Sequence, residues 1–454
     1  MTFLGAGMLS DISAQDFSLQ ADTLNEARLP AQWDLQSCID YALEQNITIR
    51  KNRVTAESTQ IDVKTAKAAL FPSLSFSTSQ QVVNRPYQET SSRVSGSEII
   101  SSNSKTSYNG NYGLNASWTI YNGSKRLKTL KQERLNNQVA ELDVATSENT
   151  IKESIAQIYI QILYAAESVR VNENTLQVSI AQRDRGQELL NAGSIAKSDF
   201  AQLEAQVSTD RYQLVTAQAT LQDYKLQLKQ LLELDGENEM NVYLPKLSDE
   251  NVLAPLPAKK DVYVSALAIR PEIEASKLNV EASELGIDIA KSSYFPTISL
   301  SAGIGTNHTS GSDFTFGEQV KNGWNNSIGL SVSVPIFNNR QTKSAVQKAK
   351  LQRETNMLSL LDEQKALYKT IESLWLDANS AQQRYAAANE KLRSTQISYD
   401  LISEQFNLGM KNTVELLTEK NNLLQAQQEQ LQAKYMAILN TQLLKFYQGD
   451  KLTL

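Results

Sequence analysis

The chain has 454 residues with 44 Lys and Arg against 50 Asp and Glu, which gives a net charge of −6 at neutral pH. This balance offers no basic face for nucleic acid. One histidine and one cysteine leave almost no ligands for a transition-metal site and allow no internal disulfide. We therefore expect no metal, no cofactor and no nucleic-acid partner.

The N-terminal residues 1–15 are mostly apolar and small and contain no Lys or Arg. This composition is typical of a secretory signal that lacks its basic start, and a disordered tail is the alternative. Cys38 lacks the apolar stretch in front of it that lipid attachment requires. A lone cysteine in a helical pattern is usually packed, so we expect Cys38 to be buried.

Three further patterns carry no clear chemistry. Gly303-Ile304-Gly305 is a near miss for a nucleotide fingerprint, but it lacks the third glycine and lies inside a strand pattern. His308 lies in a Ser-, Gly- and Asn-rich stretch, which predicts a solvated loop residue. No run of 18 or more apolar residues predicts a spanning helix. We find no cluster of residues that predicts an enzyme.

A proline marks a switch from helix to strand twice in the chain. Phe71-Pro72 and Phe295-Pro296 each end a polar, Ala-rich helical run and start a strand pattern. Proline disfavours the helical conformation of the residue before it and is tolerated as the first residue of a strand. These two switches are 224 positions apart, and the offset becomes 216 from the second strand onward, where Gly193 meets Gly409.

A repeat of this length predicts one domain made twice. We expect this single domain at 16–454, with repeat one at about 34–235, a linker at 236–262, repeat two at about 263–449, and β-hairpins at 71–121 and 295–337.

Four predicted strands alternate an apolar residue with Ser, Asn or Gly. A half-buried sheet of a soluble protein would show the same alternation. The polar face is nearly free of charge, however, and aromatic residues gather at the strand ends, which is typical of a transmembrane β-barrel. We expect a lipid-facing row formed by Leu114, Trp118, Ile120, Leu300, Ile328, Leu330, Val332 and Val334, with a strand that continues to Ile336.

Four strands cannot close a membrane barrel, because the smallest have eight strands and an open edge leaves backbone groups unpaired in lipid. The chain must therefore oligomerise, and three copies would supply twelve strands.

A helix of unusual length follows each predicted hairpin. No proline interrupts 124–190 or 339–409, and about 65 helical residues span about 100 Å. Apolar residues at alternating steps of four and three predict coiled-coil seams. These seams contain Ile151, Ile155, Ile158 and Ile162 in the first long helix, Ile371, Leu374 and Ala378 in the second, Phe200, Leu203 and Val207 in one return helix, and Leu417, Leu424, Leu431, Tyr435 and Ile438 in the other.

Taken in order, these motifs resemble the TolC family of outer-membrane efflux and secretion channel proteins over nearly the whole chain. The residues that carry the resemblance are the Phe-Pro strand starts at 71 and 295, Trp118-Thr119-Ile120-Tyr121-Asn122-Gly123 with Val334-Pro335-Ile336-Phe337-Asn338, and Gly193 and Gly409 followed six residues later by Asp199 and Glu415.

The resemblance implies a mainly α fold with a small β part. Three chains would assemble a long antiparallel α-helical coiled-coil barrel and a transmembrane β-barrel of twelve strands, four from each chain. The implied function is a passive exit duct in the outer membrane of a Gram-negative bacterium, with a long periplasmic portion. The implied partners are two further copies of the chain, outer-membrane lipid, a periplasmic adaptor (membrane fusion) protein and, through it, an inner-membrane transporter of an efflux pump or type I secretion system. The alternative is a periplasmic coiled-coil adaptor, which predicts one helical hairpin and β-rich soluble domains.

The resemblance also implies two sets of functional residues. Matched by position, the periplasmic aperture contains Glu415, Lys411, its acidic partner Asp199, Phe406 in place of a family tyrosine, and Thr418 where many members have a second aspartate. That last departure implies a single, weaker ring of acids. The tips that contact the adaptor are Ala192, Gly193, Ser194, Leu408, Gly409 and Met410. Ordinary helix capping and favourable acids in a first helical turn are the alternatives.

Overall fold

A computed structural model describes residues 30–87, 91–95, 98–102, 105–235, 240–245, 252–310, 312 and 314–453. The predicted signal remnant at 1–15 lies outside the described residues, as do 236–239 and 246–251 of the predicted linker. Among the described residues, no helix is both long enough and apolar enough to span a membrane.

The described part of the chain is mainly helical, with one four-stranded sheet. The helices are α1 (Leu35–Gln45), α2 (Ile47–Ala68), α3 (Lys125–Asn191), α4 (Lys197–Leu231), α5 (Lys259–Ile269), α6 (Pro271–Ser292), α7 (Phe316–Asn322), α8 (Gln341–Asn407) and α9 (Thr413–Gln448). The strands are β1 (Ser73–Asn84), β2 (Ser91–Ser95), β3 (Glu98–Ser102), β4 (Thr106–Asn122), β5 (Thr297–Thr309) and β6 (Asn325–Ser333). This confirms the predicted mainly α fold with a small β part.

The helix bounds repeat with the two offsets read from the sequence. An offset of 224 carries α1 and α2 onto α5 and α6, and an offset of 216 carries α3 onto α8, each of 67 residues. The breaks between the paired short helices also correspond. Asn46 ends α1 and caps α2 with its side chain, while its counterpart Arg270 binds Glu153 and Glu272 and lies 3.9 Å over the Tyr447 ring.

The main sheet has the strand order β1-β4-β5-β6, and every neighbouring pair is antiparallel. Strands β1 and β6 are its two edges. A separate two-stranded ribbon, β2–β3, lies in the connection between β1 and β4.

The strand that was predicted to continue to Ile336 is shorter in the structure. Strand β6 ends at Ser333, so Val334 and Ile336 lie beyond it. Pro335 explains the early end, because it cannot donate a backbone hydrogen bond and it restricts the residue before it.

A β-bulge interrupts the apolar row of β4. The pairing with β5 shifts between Thr119 and Tyr121, so Tyr121 pairs with Ile298 and Ile120 is the extra residue. A bulge places two residues opposite one, which changes the alternation of the faces below it. Tyr121, rather than Ile120, therefore continues the apolar row at this end of the strand.

The long helices form two antiparallel hairpins, α3 with α4 and α8 with α9. The predicted seam of α3 is confirmed at Ile155 and Ile162, which are fully buried. Gly186 lets the two helices of the first hairpin approach closely, because a Cβ there would lie 2.3 Å from Leu203 Cδ1. Gly186 therefore serves packing between the two arms of this hairpin.

In the N-terminal half of α9, the predicted coiled-coil seam was wrong, because the buried residues lie one position before the predicted ones. Leu416, Lys420 and Leu423 are buried, whereas Leu417 and Leu424 are partly exposed. The reason is that α9 packs against both α8 and α3, so its buried face includes the side turned to the first hairpin.

The irregular segment between the repeats packs against the middle of the long helices. Trp33 forms a parallel bridge with Val242, and the Tyr159 hydroxyl donates to the Tyr243 carbonyl oxygen at 2.6 Å. The Gln382 amide donates to the Val252 and Ala254 carbonyls at 2.9 and 2.8 Å. These contacts surround one large apolar cluster, in which Cys38 is fully buried.

We predict that Cys38 resists alkylation in the native protein. Burial, with a smaller contribution from the Asp34 charge, raises the pKa of the Cys38 thiol to about 12, so only about one thiol in ten thousand is ionised at pH 8. Iodoacetamide labelling followed by mass spectrometry should show negligible modification until the protein unfolds, when the thiol recovers its ordinary pKa.

The matched control is Gln36→Cys in a Cys38→Ala background, because residue 36 is exposed on the same helix. Equal labelling rates at residues 36 and 38 in the native protein would contradict the packing of α1.

Candidate functional site

The main sheet has one apolar face and one polar face. In register across three strands, Trp118 pairs with Leu300 and Leu300 with Leu330, and next to them Ile298 pairs with Val332. Of the eight residues in the predicted lipid-facing row, six lie on this face within strands: Leu114, Trp118, Leu300, Ile328, Leu330 and Val332. Ile120 is at the bulge and Val334 is beyond β6. Many of these side chains are strongly exposed, Ile328 at 83% and Leu330 at 65%.

The opposite face contains Ser, Asn, Thr and Gly in register across all four strands. Ser75 pairs with Asn115, Asn115 with Gly303, and Gly303 with Ser327. Small uncharged side chains here leave room on this side of the sheet and create no strong local field. A sheet with an exposed apolar face and a polar opposite face fits a barrel with lipid outside and water inside.

His308 is a strand residue, and the prediction of a solvated loop was wrong. It lies near the end of β5, opposite Gly110, and its ring centroid is 5.2 Å from that of Tyr108 and 5.0 Å from that of Phe316. Strand β5 extends this far because it remains paired with β4 as far as Asn109. Gly110 leaves room for this ring, because a Cβ at that position would lie 2.3 Å from His308 Cε1.

Both hairpin tips have the same helix-ending geometry. Gly193 and Gly409 have φ of 68° and 73°. In the first tip, Gly193 N–H donates to the Leu190 carbonyl and Ser194 N–H to the Leu189 carbonyl, and the second tip repeats this with Gly409 and Met410. This is the Schellman arrangement, in which a left-handed residue follows the helix. Capping is therefore real at both tips, and it leaves Leu408 and Met410 about 70% and 71% exposed.

The aperture residues of the second hairpin form a compact capped turn. Lys411 Nζ lies 2.5 Å from Glu415 Oε1, and the other carboxylate oxygen of Glu415 accepts from Asn412 N–H at 3.2 Å. Asn412 in turn accepts from Glu415 N–H at 2.9 Å, which completes a capping box. The Lys411 contact and the Asn412 N–H together hold the pKa of the Glu415 carboxyl below its usual value.

Within the described part of the chain, the remaining aperture residues make no side-chain hydrogen bond to this turn. Asp199 accepts from Ala196 N–H at 3.4 Å, so within one chain its carboxylate caps α4 and the Lys411 ammonium binds Glu415 instead. The Thr418 hydroxyl donates to the Val414 carbonyl of its own helix. Phe406 is 3% exposed. Within a single chain, the structure therefore pairs Lys411 with Glu415.

Sequence reasoning missed a buried charge cluster above the tips. Lys420 of α9, Asp210 of α4 and Ser179 of α3 are 2% to 3% exposed, and the Lys420 ammonium contacts both the Asp210 carboxylate and the Ser179 hydroxyl. Burial lowers the pKa of the Lys420 ammonium, and the Asp210 carboxylate opposes that shift. The sequence contains one signal of this cluster. Lys420 lies four residues after Leu416 and three before Leu423, on the helix face that the predicted seam left exposed to solvent.

A sequence profile of the outer membrane efflux protein family matches residues 38–233 and 262–449. The chain belongs to this family. Outer membrane efflux protein BepC of Brucella suis biovar 1 is 26% identical over 294 residues, covering 64% of this chain and 61% of that protein. Outer membrane protein TolC of Escherichia coli K12 is 24% identical over 341 residues, covering 72% of this chain and 66% of that protein. The chain thus spans less than two thirds of either relative.

Solved structures share the fold. The structure of CusC has a TM-score of 0.78 with 19% identity and covers 93% of each chain. The outer membrane protein VceC from Vibrio cholerae has a TM-score of 0.75 with 16% identity, covering 92% of this chain and 97% of that one. These likenesses place the helical hairpins and the four-stranded sheet in one fold with known outer-membrane proteins.

We predict that the two faces of β6 tolerate charge differently. Leu330→Arg places a cation on the apolar face and should destabilise the inserted protein by about 2 to 4 kcal/mol if the position lies near the bilayer midplane. The adjacent Ser331→Arg points to the polar face and should insert normally. Urea titrations of both variants in lipid vesicles measure the difference, and equal stabilities would contradict the assignment of one lipid face and one water face to β6.

Proposed function

We propose that the protein is a passive exit duct in the outer membrane, assembled from three copies of the chain. The observation that carries this proposal is the sheet, whose exposed apolar face and uncharged polar face are in register over four strands. Each chain adds two helical hairpins whose long arms have 67 residues, which corresponds to about 100 Å. We assign the protein no catalytic step.

The two sheet edges support the trimer. Among the strands that the structure describes, β1 and β6 each have one side without a strand neighbour, and unpaired backbone groups are not stable in the hydrocarbon region. Joining β1 of one copy to β6 of the next removes every edge when the ring closes. Three copies give twelve strands, and six hairpins then extend from one end of the barrel as a tunnel. We take residues 16–454 as the single duplicated domain that makes each copy.

The tunnel needs partners at its far end. We propose that the tips contact a periplasmic adaptor protein and, through it, an inner-membrane transporter of an efflux or secretion system. The alternative function, a periplasmic adaptor, fits the chain less well. An adaptor is expected to have one helical hairpin, whereas the described part of this chain has two hairpins and a sheet with an exposed apolar face.

The proposed function is tested by membrane fractionation and reconstitution. The protein should remain in the outer-membrane fraction, migrate as an SDS-sensitive trimer and conduct ions in planar bilayers. A protein that stays soluble in the periplasm and gives no current would exclude the duct and restore the adaptor.

We predict that Glu415 makes the aperture cation-selective. Three carboxylates related by threefold symmetry in a narrow mouth attract cations. Glu415→Gln keeps an acceptor for the capping box but removes the charge, so bilayer reversal potentials should show reduced cation selectivity and weaker block by multivalent cations. Because the pKa of Glu415 is held below 4.5, wild-type selectivity should persist at neutral pH and decline only as the pH falls through that lowered pKa.

The control for this charge is Glu429→Gln, because Glu429 is also ion-paired, to Lys391 at 2.8 Å, but lies farther up α9. Lys411→Ala and Asp199→Ala are expected to raise the conductance of the closed channel. If none of these aperture variants changes conductance or selectivity while trimers remain intact, the aperture assignment fails.

We also predict that the tips are the docking points. Ser194→Trp or Met410→Trp adds bulk beside a tip glycine without demanding a new φ at the glycine itself, so the trimer and its bilayer current should be retained while export in cells is lost. The control is Tyr212→Trp, which enlarges an exposed side chain of α4 farther from the tip. Normal export by both tip variants would leave capping as the complete role of the tips.

A further inference from the structure

Basic residues cluster where each long helix begins, next to the end of the sheet. In α3, residues 125–132 contain four Lys and Arg and no acid, and at the start of α8, residues 340–352 also contain four and no acid. The whole chain has a net charge of −6. The cations are therefore concentrated at one level of an otherwise acidic protein.

Helix stability does not account for this cluster. Cations near a helix N-terminus are unfavourable, because the positive end of the helix dipole lies there. The helices α4, α6 and α9 follow the usual preference and have acids in their first turns. The first turns of α3 and α8 contain no acid, which indicates another role for their basic residues.

Helix α3 is packed on two sides within one chain. Its Asn137 side chain accepts from the Thr59 hydroxyl of α2 at 3.1 Å, and its Gln132 amide donates to the Ala282 carbonyl of α6 at 2.9 Å. Both neighbours belong to the same chain. Residues of α3 that remain exposed between them therefore lie on the inner or the outer surface of the proposed tunnel.

The exposed cations of α3 lie on two opposite sides. At about 100° per residue, Lys131 and Arg134 share one side with Leu127, and Lys125 lies on the other. All four residues are exposed, Leu127 at 55%. The side with Leu127 is the wider of the two gaps between the α2 and α6 contacts, about 220° against about 140°. In a closed ring, the neighbours of each helix are displaced toward the centre, so the wider gap faces outward.

Helix α8 has cations at equivalent positions. An offset of 216 carries α3 onto α8, so Leu127 corresponds to Lys343, and Arg340 lies one turn before it. Both basic side chains are exposed. We call Lys131, Arg134, Arg340 and Lys343 the basic belt.

Acids of the neighbouring helix do not neutralise the basic belt. Asp288 and Glu284 of α6 are paired instead with Lys291 and Arg353, at 3.2 and 2.7 Å. Within the part of the chain that the structure describes, no belt residue forms an ion pair. The belt therefore has positive charge available for an anionic partner outside the chain.

The basic belt lies at the level of a membrane interface. Exposed aromatic side chains gather at the end of the sheet from which α3 and α8 start, with Phe71 65%, Phe295 50% and Phe337 84% exposed. At 1.5 Å per residue, Lys131 is about 9 Å and Arg134 about 14 Å from the start of α3. Long basic side chains extend several ångströms toward the polar boundary, and aromatic residues next to basic ones are typical of that boundary.

We propose that the basic belt binds the phosphate groups of anionic phospholipids, such as phosphatidylglycerol, in the membrane leaflet next to the helices. This inference rests on the proposed outer-membrane duct. Ammonium and guanidinium groups bind phosphate, and each cation beside an anionic lipid surface strengthens the attraction about fivefold. A belt inside the duct would instead place cations across the path and oppose the cation selectivity expected from Glu415.

The test uses Trp118 as a reporter of the neighbouring lipid. Trp118 lies on the apolar face near the helix end of the sheet, and Trp324 precedes β6 at the opposite end. Trp33 is 3% exposed in the helical part, and Trp375 donates to the Pro257 carbonyl there. In a Trp324→Phe background, Trp118 is therefore the one tryptophan in the proposed membrane region.

The full-length trimer is reconstituted in phosphatidylcholine vesicles that contain a fraction of phosphatidylglycerol brominated on its acyl chains. A parallel sample contains the same fraction of brominated phosphatidylcholine. Bromine quenches tryptophan fluorescence on contact, so the two samples give the relative binding of the two lipids beside Trp118.

The wild-type belt should favour phosphatidylglycerol over phosphatidylcholine beside Trp118 by at least about threefold. High salt should reduce this preference, because it screens the charges. Replacing all four belt residues with glutamine should bring the ratio close to one. Lys125→Gln, the matched control on the opposite side of α3, should leave the ratio unchanged. A ratio close to one before any belt substitution, or a ratio that the four substitutions do not change, would overturn the proposal.

A second pair of measurements separates the belt from a general preference for anionic lipid. Trp118→Phe retains Trp324 as the reporter at the opposite end of the sheet, where no preference for phosphatidylglycerol is expected. An equal preference at both ends would overturn the assignment to the belt. Absence of quenching by either brominated lipid at both ends would instead count against the proposed barrel itself.

The belt is also divided between the two helices, so that fewer residues change at once. Lys131→Gln with Arg134→Gln, and Arg340→Gln with Lys343→Gln, should each remove part of the preference while trimers remain intact on a gel. Planar bilayers test the inward position of the same cations. Variants that keep the lipid ratio but increase cation selectivity would place the cations inside the duct and overturn the proposal.

Discussion

The open edges of the four-stranded sheet are the constraint on which the proposed assembly depends. Among the described strands, β1 and β6 each have an unpaired side, and in lipid every backbone amide and carbonyl must find a partner. In the proposed trimer, pairing with other copies satisfies these groups, and it also determines where the helices go. Each chain contributes two hairpins that leave the sheet at equivalent places, so closing the barrel places the hairpins in a ring as well.

The junctions from strand to helix show how the duplication preserves backbone shape while the side chains change. Gly123 and Ser124 have φ of 68° and 62°, and their counterparts Asn339 and Arg340 have φ of 50° and 65°. Left-handed conformations at non-glycine residues cost energy, and three of these four residues are not glycine. The same left-handed pair in both repeats therefore indicates that the turn geometry is required. The long helices start in the same direction in both halves because these turns are alike.

Much of this architecture could be predicted because it depends on periodic patterns. Apolar residues such as Ile155 and Ile162 recur at coiled-coil spacing, and the alternation around Leu330 identifies both faces of the sheet before any pairing is known. The errors occurred where a single contact overrides a pattern. Nothing in the spacing of Trp118, Ile120 and Tyr121 indicates that Ile120 is the extra residue of a bulge, since the bulge depends on how β5 pairs with β4. At the end of β6, Pro335 overrides an apolar alternation that continues to Ile336, because proline lacks the N–H that a strand residue donates.

The candidate site was harder to predict for a physical reason that Lys420 illustrates. A lysine between apolar positions normally marks a solvated helix face, and its burial becomes acceptable only when a carboxylate from another helix lies beside it. Asp210 supplies that carboxylate from a residue 210 positions earlier in the chain. At the tips, by contrast, Lys411 binds Glu415 four residues away and Asp199 binds its own turn. The charges of Lys411, Glu415 and Asp199 at the tips are therefore satisfied within their own hairpins, whereas the ion pair of Lys420 and Asp210, farther from the tips, joins one hairpin to the other.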